Sequence, residues 1–453
     1  MRKYFGTDGI RRIANTELTP DLVFRVAKAG AYVLSKHSNH KPTILIGRDT
    51  RISGGLIESA MTAGFLSYGA NVIVLDIIPT PGVAYLTKKL NADASVVISA
   101  SHNTFEFNGV KFFSNKGMKI SDELEEEIEE IMDSEKLADF TAVGEDVGRL
   151  FSKPELIDEY VDFFMKIFGT TFDNLNSDFC VGLDVANGAT YEVAEKVFKK
   201  LGINYKIINN NPDGININDN CGSTHLEGLK QFVKENKLNL GIAYDGDGDR
   251  CLAVDENGNE VDGDMIMAII SNSLKEKNLL KKDTLVATVM SNLGMKKYTA
   301  ENNMNFVQTK VGDRYVLEEM LKEGYNFGGE QSGHIIFLDY NPTGDGILTS
   351  LMLIRAMIEA NKKVSELSKI ITIYPQVLIN AKVNSEKKYD YENNEVIKAE
   401  IEKLEEEFKD NGRVLIRPSG TEPKVRVMIE GEDLEYITTK AKNLAQIIEK
   451  YLN

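Results

Sequence analysis

The sequence predicts an α/β protein built from repeated units, and two patterns support this. Short runs rich in Val and Ile alternate with amphipathic helical patterns through most of the 453 residues, as expected of α/β units. Three of these runs end with an aspartate just past the apolar residues: ILIGRD from Ile44, VGLD from Val181 and GIAYD from Gly241. Because open α/β sheets bind ligands at the carboxyl ends of their strands, we expect the functional site there.

The predicted elements follow in chain order. Six buried strands are expected, at Thr43–Ile46, Asn71–Leu75, Ser95–Ile98, Val181–Leu183, Leu240–Tyr244 and Thr284–Val289. The acidic run Ser121–Glu135 has apolar residues at helical spacing and early acidic residues that suit the helix dipole, which predicts a helix with a solvated face. From Ile373 onward the order is strand, helix, strand, strand, helix, with helices at Asn394–Phe408 and from Leu434. This smaller segment is expected to be an α+β domain.

The length and the polar stretches predict how the chain divides. At roughly 150 residues per domain, the chain is long enough for about three domains. Candidate boundaries lie at Gly144–Arg149, Arg250–Gly258 and Asn361–Lys369. We therefore expect four segments, at 1–150, 151–252, 253–368 and 369–453.

Composition excludes several classes of protein. Lys and Arg number 53 against 69 Asp and Glu, a formal charge of −16, so nucleic-acid binding is not expected. Hydrophobic residues make up 42%, which predicts a folded chain. The absence of a signal-like start and of any run of about 20 apolar residues predicts a cytoplasmic protein without membrane contact. Three cysteines without a CxxC pair fit a reducing compartment, and we assign them no chemistry.

A candidate metal site follows the strand at Leu240–Tyr244. Asp245, Asp247 and Asp249 alternate with glycines and precede Arg250. Three carboxylates at alternate positions repel one another unless a cation compensates, and an all-oxygen ligand set favours Mg²⁺ over Zn²⁺. An EF-hand is the rival interpretation, but its loop needs Gly at the sixth position, where Arg250 stands, and helices rather than strands on both sides.

A hydroxyl candidate follows the strand at Ser95–Ile98. The segment SASHN places Ser101 and His102 in a loop at the carboxyl edge of the sheet. A Ser-His hydrolase is the obvious alternative, but an adjacent histidine rarely reaches the serine proton, and no GxSxG motif is present. An ordinary Ser/Asn turn is also compatible with this segment taken alone.

Two further loops carry recognition chemistry. Gly328–His334 combines Glu330, Ser332 and His334 with flexible glycines, which suits several sugar hydroxyls, although a glycine-rich hairpin would look similar. In the segment Arg413–Arg426, hydroxyls and guanidinium groups surround a rigid Pro/Gly turn that could clamp a phosphate. No GxxxxGK[ST] loop is present and no GxGxxG follows a strand, which argues against nucleotide hydrolysis and dinucleotide binding.

Together these motifs resemble the α-D-phosphohexomutase superfamily. Its phosphoserine loop, DGDGDR metal loop, GExSGH sugar loop and RPSGTEP phosphate loop all occur here, in that order. Further matching motifs span the chain: FGTDGIR at Phe5–Arg11, GRDTRISG at Gly47–Gly54, PDGININDNCGSTH at Pro212–His225, VGDRYV at Val311–Val316, GGEQSGHI at Gly328–Ile335 and TGDGILTSLML at Thr343–Leu353. The resemblance implies a four-domain phosphohexomutase architecture, with three similar α/β domains and a smaller C-terminal α+β domain around a central cleft.

The resemblance also implies roles for individual residues. Ser101 would carry the phosphoryl group, and its phosphate would complete a site for one Mg²⁺ with Asp245, Asp247 and Asp249. Arg250 would close the metal loop and Lys111 would transfer protons. Glu330 and Ser332 would bind sugar hydroxyls with His334 beside them. The phosphate that is not transferred would contact Arg417, Ser419, Gly420, Thr421 and Arg426.

The implied substrate is a small phosphosugar. Gln331 resembles the amino-sugar members, so we expect glucosamine 6-phosphate and glucosamine 1-phosphate to interconvert through a 1,6-bisphosphate. A glucose or mannose phosphomutase, a noncatalytic phosphosugar sensor and a metal-dependent phosphatase remain alternatives, and a homodimer stays open. Thr104 replaces a frequent Pro, Arg12 a frequent Gly, and Phe105–Gly109 an acidic-Asn-Gly run, changes that concern loop conformation more than reaction type.

Overall fold

The computed structural model describes residues 3–6, 8–409, 411–419 and 422–453. Its strands are β1 Ile10–Ile13, β2 Thr43–Arg48, β3 Asn71–Ile77, β4 Ala94–Ile98, β5 Phe107–Ser114, β6 Leu150–Ser152, β7 Cys180–Asp184, β8 Asn204–Ile208, β9 Leu240–Tyr244, β10 Cys251–Asp255, β11 Glu260–Val261, β12 Thr284–Thr288, β13 Asn305–Thr309, β14 Phe327–Gly329, β15 Ile335–Phe337, β16 Gln376–Lys382, β17 Gly412–Pro418 and β18 Lys424–Gly431. All six strands expected from the sequence are present, with bounds shifted by at most two residues.

The helices are α1 Pro20–Ser35, α2 Gly54–Tyr68, α3 Thr80–Lys89, α4 Asp122–Asp133, α5 Ile157–Phe168, α6 Val193–Lys200, α7 Glu227–Asn236, α8 Gly263–Glu276, α9 Leu293–Glu301, α10 Asp313–Glu323, α11 Gly346–Ala360, α12 Val364–Leu367, α13 Glu395–Phe408 and α14 Leu434–Leu452. Within the described residues, no helix combines the length and the apolar character needed to cross a membrane.

The chain forms two compact units. The first comprises 1–290 and 305–369, and the second 291–304 and 370–453. In the first unit lie three mixed sheets, with strand orders β1-β5-β4-β2-β3-β6, β11-β10-β9-β7-β8 and β13-β12-β14-β15. The second unit contains an antiparallel sheet of order β16-β18-β17. The predicted mixture of α/β sheets with a small C-terminal α+β unit is confirmed.

The three sheets of the first unit share one arrangement. In each, a central strand pairs in parallel with a strand on either side: β2 with β3 and β4, β7 with β8 and β9, and β12 with β13 and β14. The last of these three strands then pairs antiparallel with the next strand in sequence: β4 with β5, β9 with β10, and β14 with β15. The repeat suggested by the strand endings is therefore a repeat of topology. The three endings are not equivalent, because GIAYD ends the third parallel strand of its sheet whereas ILIGRD and VGLD each end the first.

The acidic helix α4 differs from its predicted solvated character. Ser121 caps it by accepting the N–H of Leu124, but Glu125 and Glu129 are buried. The two carboxylate oxygens of Glu129 accept the backbone N–H groups of Lys3, Tyr4 and Phe5, each at 2.7 Å. A buried carboxylate needs such partners, so this face of α4 anchors the segment that leads to Asp8.

The second unit follows the predicted order of strand, helix, strand, strand and helix. Helix α14 packs its apolar face on the sheet, where Ile437, Leu444 and Ile448 join the core formed with Val425 and Val427. Asn394 caps α13 and Asp433 caps α14 through their side-chain oxygens. Residues 291–304, which contain α9, also belong to this unit.

Candidate active site

The repeated topology brings three predicted loops to one region of the first unit. The Ser101 loop joins β4 to β5, the Asp245–Arg250 loop joins β9 to β10, and the Glu330–His334 loop joins β14 to β15. Each loop therefore follows the carboxyl end of the third parallel strand, where α/β sheets bind ligands. The loops are in contact, because Ser101 Oγ lies 2.7 Å from Asp245 Oδ2 and His334 Nδ1 lies 3.5 Å from Asp249 Oδ2.

Ser101 is held in an unusual conformation. Its φ is 51°, in the left-handed region, which is uncommon for a residue other than glycine. Its N–H donates to Ser99 Oγ at 2.8 Å, and its carbonyl accepts from Arg51 at 3.2 Å and from Asn218 at 2.8 Å. The buried Arg51 is itself paired with Asp49. These contacts hold the serine hydroxyl toward Asp245, to which it donates.

His102 lies closer to the serine than its position in the sequence suggested. Its Nδ1 is 3.3 Å from Ser101 Oγ. Burial, together with the positive charges of Arg250 and Arg11, lowers the pKa of His102 to about 4. The serine hydrogen bond to Asp245 is shorter, so the hydroxyl faces the carboxylate cluster.

The three aspartates converge as a metal site requires. Asp245, Asp247 and Asp249 are buried, and each offers a carboxylate oxygen within 4.8 Å of the others. Burial and the two neighbouring carboxylates raise the pKa of Asp245 well above its usual range. Among the described residues, Asp247 Oδ1 and Asp249 Oδ1 are buried without a hydrogen-bond partner. Buried, mutually repelling oxygens with free lone pairs fit a bound cation.

The glycines of this loop permit the close approach. A Cβ on Gly246 would lie 2.6 Å from the carbonyl oxygen of Ser101, and Gly248 has a φ of 70°. A residue with a side chain would separate the serine from the carboxylates or strain the turn. The alternation of Asp and Gly read from the sequence therefore has a direct geometric cause.

Lys111 lies against the metal loop. Its Nζ is 3.0 Å from Asp247 Oδ2, 3.1 Å from Asp8 Oδ2 and 3.9 Å from Asp249 Oδ2. Burial would lower the pKa of Lys111, but the carboxylates of Asp247 and Asp8 outweigh it and raise that pKa. The residue is therefore a buried ammonium group. Thr80 also contacts Asp247, donating from its hydroxyl at 2.7 Å.

The remaining predicted residues of the first unit surround this cluster. Arg250 donates its backbone N–H to Asp245 Oδ1 at 3.2 Å, and its guanidinium Nε lies 4.0 Å from Asp249. Glu330 accepts the N–H of Gly312 at 3.2 Å, and burial raises its pKa. Ser332 is half-buried in the same loop. His334 is buried and accepts the N–H of Gly344 on Nε2 at 3.0 Å.

Several residues at this site received no role in the sequence analysis. Besides Thr80, Arg51 and Asn218, they include Asp8, Arg11, Lys119 and Asp313. Asp8 and Arg11 belong to FGTDGIR, Arg51 to GRDTRISG, Asn218 to PDGININDNCGSTH and Asp313 to VGDRYV. Membership of a motif was therefore the sequence signal that could have identified these five residues. Thr80 and Lys119 lie outside all of the motifs named above.

The departures from the usual motifs have local structural counterparts. Arg12 donates to the carbonyl oxygen of Lys3 at 3.0 Å. Phe107 begins β5, and Asn108, which is buried, donates to Ser53 Oγ at 2.9 Å. None of these contacts displaces Ser101 or Lys111 from the cluster. Nothing in the structure explains Thr104 in place of proline.

The second unit carries the predicted phosphate loop. Arg417 on β17 and Arg426 on β18 are directly opposite in the antiparallel register, and burial together with the charge of Arg426 lowers the pKa of Arg417. Buried Ser419 accepts the N–H of Glu422 on Oγ at 3.2 Å. Like charges opposite one another are unfavourable, so this pair is suited to an anion. Gly420 and Thr421 lie outside the described residues.

Comparison with known proteins agrees with this arrangement. Residues 2–139, 158–258 and 262–374 match phosphoglucomutase/phosphomannomutase α/β/α domains I, II and III, and residues 378–447 match the C-terminal domain of the same family. The chain is similar over 99% of its length to a Burkholderia thailandensis phosphoglucomutase/phosphomannomutase family protein, with a TM-score of 0.80, 20% identity and 98% of that chain covered.

Two further proteins are similar over the full length. One is Aspergillus fumigatus N-acetylphosphoglucosamine mutase, solved in complex with GlcNAc-6P and magnesium, with a TM-score of 0.71, 17% identity and coverage of 100% of this chain and 96% of that one. The other is the phosphoglucosamine mutase of Clostridium acetobutylicum, which is 54% identical over 453 residues, all of both chains. The chain belongs to the phosphoglucosamine mutase family within the α-D-phosphohexomutase superfamily.

Proposed function

We propose that this protein interconverts glucosamine 6-phosphate and glucosamine 1-phosphate. Phosphorylated Ser101 gives its phosphoryl group to the C1 hydroxyl of glucosamine 6-phosphate. The resulting 1,6-bisphosphate then reorients in the site and returns its C6 phosphoryl group to Ser101. The observation that carries the proposal is the serine hydroxyl held 2.7 Å from one of three buried carboxylates. The name of the 54% identical relative supports the choice of sugar.

The donor set favours Mg²⁺ at the three aspartates. Only carboxylate oxygens are offered, which suits a hard cation, and a phosphate on Ser101 would supply a further oxygen beside Asp245. When bound, the ion would offset negative charge on the transferring phosphoryl group. The magnesium in the Aspergillus fumigatus complex supports this choice.

Side chains of the first unit position the reaction. The Lys111 ammonium adds positive charge beside the phosphoryl group, as does the guanidinium of Arg250. Glu330 and Ser332 bind sugar hydroxyls, and His334 holds Asp249 in place. Proton transfer by Lys111 stays a prediction, because its ammonium is buried between Asp247 and Asp8.

The proposed grip on the phosphate that is not transferred consists of residues of the predicted phosphate loop. Arg417 and Arg426 would share this phosphate, with Ser419 as an additional donor and Gly420 and Thr421 as predicted contacts. Either end of the sugar presents the same dianion, so one clamp serves both half-reactions. A cytoplasmic location and a role in supplying precursors of the cell wall follow from this substrate and belong to the same proposal.

The test is ³¹P NMR on one sample that contains enzyme, Mg²⁺, a trace of sugar bisphosphate, and equal glucosamine 6-phosphate and glucose 6-phosphate. We expect the glucosamine 1-phosphate resonance to grow fastest. Faster glucose 1-phosphate would overturn the substrate, and steady release of inorganic phosphate would indicate a phosphatase. An unchanged spectrum, with no phosphate on Ser101 in protein from cells, would favour the sensor.

The variant Ser101→Ala tests the phosphoserine step. We expect it to lose turnover by at least about 10⁴-fold, because no other described hydroxyl lies at Asp245 Oδ2 in its place. Its free energy of unfolding should change by only about 1 kcal/mol, the worth of one hydrogen bond. Ser114→Ala is the control, since the one hydrogen bond of Ser114 Oγ among the described residues is to the carbonyl of Met118. Normal turnover by Ser101→Ala would remove the mechanism.

A further inference from the structure

Lys111 belongs to a longer run of contacts that the proposed mechanism does not use. Asp8 Oδ2 forms an ion pair with Lys111 Nζ at 3.1 Å, and Asp8 Oδ1 accepts a hydrogen bond from Lys119 Nζ at 2.5 Å. Lys119 stands five residues past the end of β5, in the hairpin that precedes α4. One carboxylate therefore joins the two lysines.

The run continues back to the metal loop. The Nζ of Lys119 lies 2.6 Å from Asp313 Oδ2, and this same oxygen lies 3.5 Å from His334 Nε2. The second distance is a contact and not a hydrogen bond, because Nε2 accepts the N–H of Gly344. His334 Nδ1 then faces Asp249 Oδ2 at 3.5 Å. We call the sequence Asp247, Lys111, Asp8, Lys119, Asp313, His334 and Asp249 the acid–base ring, because acidic and basic side chains alternate along it and both ends lie in the metal loop.

Lys119 is the member that joins two parts of the first unit. Asp8 and Lys111 belong to the first sheet and its leading segment, whereas Asp313 begins α10, which packs beside the third sheet. The side chain of Lys119 is 14% exposed. Burial would lower its pKa, but the carboxylates of Asp313 and Asp8 outweigh this and raise it. An ammonium buried between two carboxylates fixes the position of both.

A neighbouring contact strengthens the same junction. Arg314 donates to the carbonyl oxygen of Ile120 at 2.7 Å and also contacts Asp122 and Glu125 on α4. Consecutive residues of α10 thus bind consecutive residues of the hairpin. The start of α10 cannot shift relative to β5 without breaking both sets of contacts.

We propose that Lys119 is a positioning residue, which holds Asp8 and Asp313 so that Lys111 and His334 keep their places beside Asp249 of the metal loop. This inference rests on the proposed function, since it concerns the placement of groups for phosphoryl transfer. Lys119 itself touches neither Ser101 nor the three aspartates of the metal loop. Its effect is therefore expected on the rate of the chemical steps more than on substrate binding.

The test compares Lys119→Met with Lys119→Arg and with the control Lys116→Met. Lys116 is exposed in the same hairpin, and its side chain makes no ion pair within the described part of the chain. We expect Lys119→Met to lower kcat by about 100-fold, the scale of a displacement of about 1 Å at a reacting group, with KM changed less than 3-fold. Arginine should restore part of the rate, and the control should behave as the wild type.

A double-variant cycle measures whether the effects of Lys119 and Asp313 on kcat are coupled, which a general loss of stability would not produce. Asp313→Asn should lower kcat as Lys119→Met does. The double variant should lower kcat by much less than the product of the two single reductions, because each single variant already breaks the contact between Lys119 and Asp313. Asp313→Asn also serves alone if Lys119→Met does not fold. A normal kcat in both variants would overturn the inference, as would a raised KM with normal kcat, which would make Lys119 a substrate contact.

The wild-type assay separates this inference from the proposed function. If the wild type turns over a different phosphosugar, the ratio of variant to wild type on that sugar still tests Lys119. If the variants match the wild type on glucosamine 6-phosphate, the proposed function stands and only the positioning role fails.

Discussion

At the scale of single residues, Ser101 shows how a backbone conformation serves a reactive group. A non-glycine residue in the left-handed region costs about 1–3 kcal/mol. Arg51 and Asn218 both donate to its carbonyl, and Asn218 also donates to the carbonyl of Asn103 at 2.8 Å. These side chains come from separate segments, so the turn is fixed by the folded unit and not by its own sequence.

The opposed guanidiniums of Arg417 and Arg426 give a prediction at the same scale. Replacing Arg426 by Met should raise KM for the phosphosugar by about 10- to 100-fold, since a charge-assisted contact contributes about 1.5–3 kcal/mol. The free energy of unfolding should not fall, because the change removes a like-charge pair across the two strands. Steady-state kinetics and urea unfolding check the two effects.

The control for this variant is Lys382→Met, an exposed change on β16 of the same sheet. It should leave KM unchanged. A normal KM in Arg426→Met, or a loss of stability that accounts for the kinetic defect, would contradict the proposed grip on the phosphate.

At the scale of elements, the repeated connection after the third parallel strand explains why distant motifs meet. Three loops that lie about 80 residues or more apart in the sequence occupy equivalent positions in three sheets of one topology. Helix α11 adds to this, because the N–H of Gly346 at its start donates to the carbonyl of Gly248 in the metal loop at 3.0 Å. The metal loop is thus supported by the beginning of a helix that is buried along most of its length.

The cap of α11 leads to a prediction about pH. Asp345 accepts from Leu348 N–H and from the Tyr160 hydroxyl, both at 2.9 Å, yet burial raises its pKa to about 6. The folded protein therefore binds this proton more tightly than the unfolded chain, so the contribution of Asp345 to stability is present below about pH 4 and is lost as the pH rises through 6.

Asp345→Asn should remove this pH dependence and keep the cap, because Asn caps helices as well as Asp. As the pH rises from 4 to 7, the unfolding free energy of the variant minus that of the wild type should increase by up to about 3 kcal/mol. Urea unfolding at each pH measures this difference. Asp433→Asn, at the exposed cap of α14, should show no such gain. Parallel pH profiles for wild type and Asp345→Asn would show that Asp345 titrates normally.

At the scale of the whole molecule, the metal loop concentrates negative charge in a chain that already carries −16. Mg²⁺ should therefore stabilise the wild type, by about 2.7 kcal/mol at 100 times its Kd. Asp245→Asn should be more stable than the wild type in EDTA, because it relieves repulsion among buried carboxylates, and should gain less from Mg²⁺. Thermal unfolding with and without Mg²⁺ measures both, with Na⁺ at equal ionic strength as the control.

If Mg²⁺ raised the Tm of the wild type and of Asp245→Asn equally, the ion would bind at a site other than the three aspartates. Turnover should cease in EDTA and return with Mg²⁺ in the wild type. Turnover that persists in EDTA would contradict the need for a cation at the three aspartates.

The sequence by itself determined the α/β class, the six strands, the order of elements in the C-terminal unit and the motifs that hold Ser101, Asp245, Asp247 and Asp249. These follow from local periodicity and from residue types whose chemistry needs close spacing along the chain. The tertiary structure decided the left-handed turn at Ser101, the burial of Glu129 under the first residues, and the ring that passes through Asp8, Lys119 and Asp313. The contacts of Glu129 with Phe5, of Asn218 with Ser101, and of Lys119 with Asp8 and Asp313 join residues more than 100 positions apart. No local pattern encodes them, and only the packing of the folded chain sets their distances.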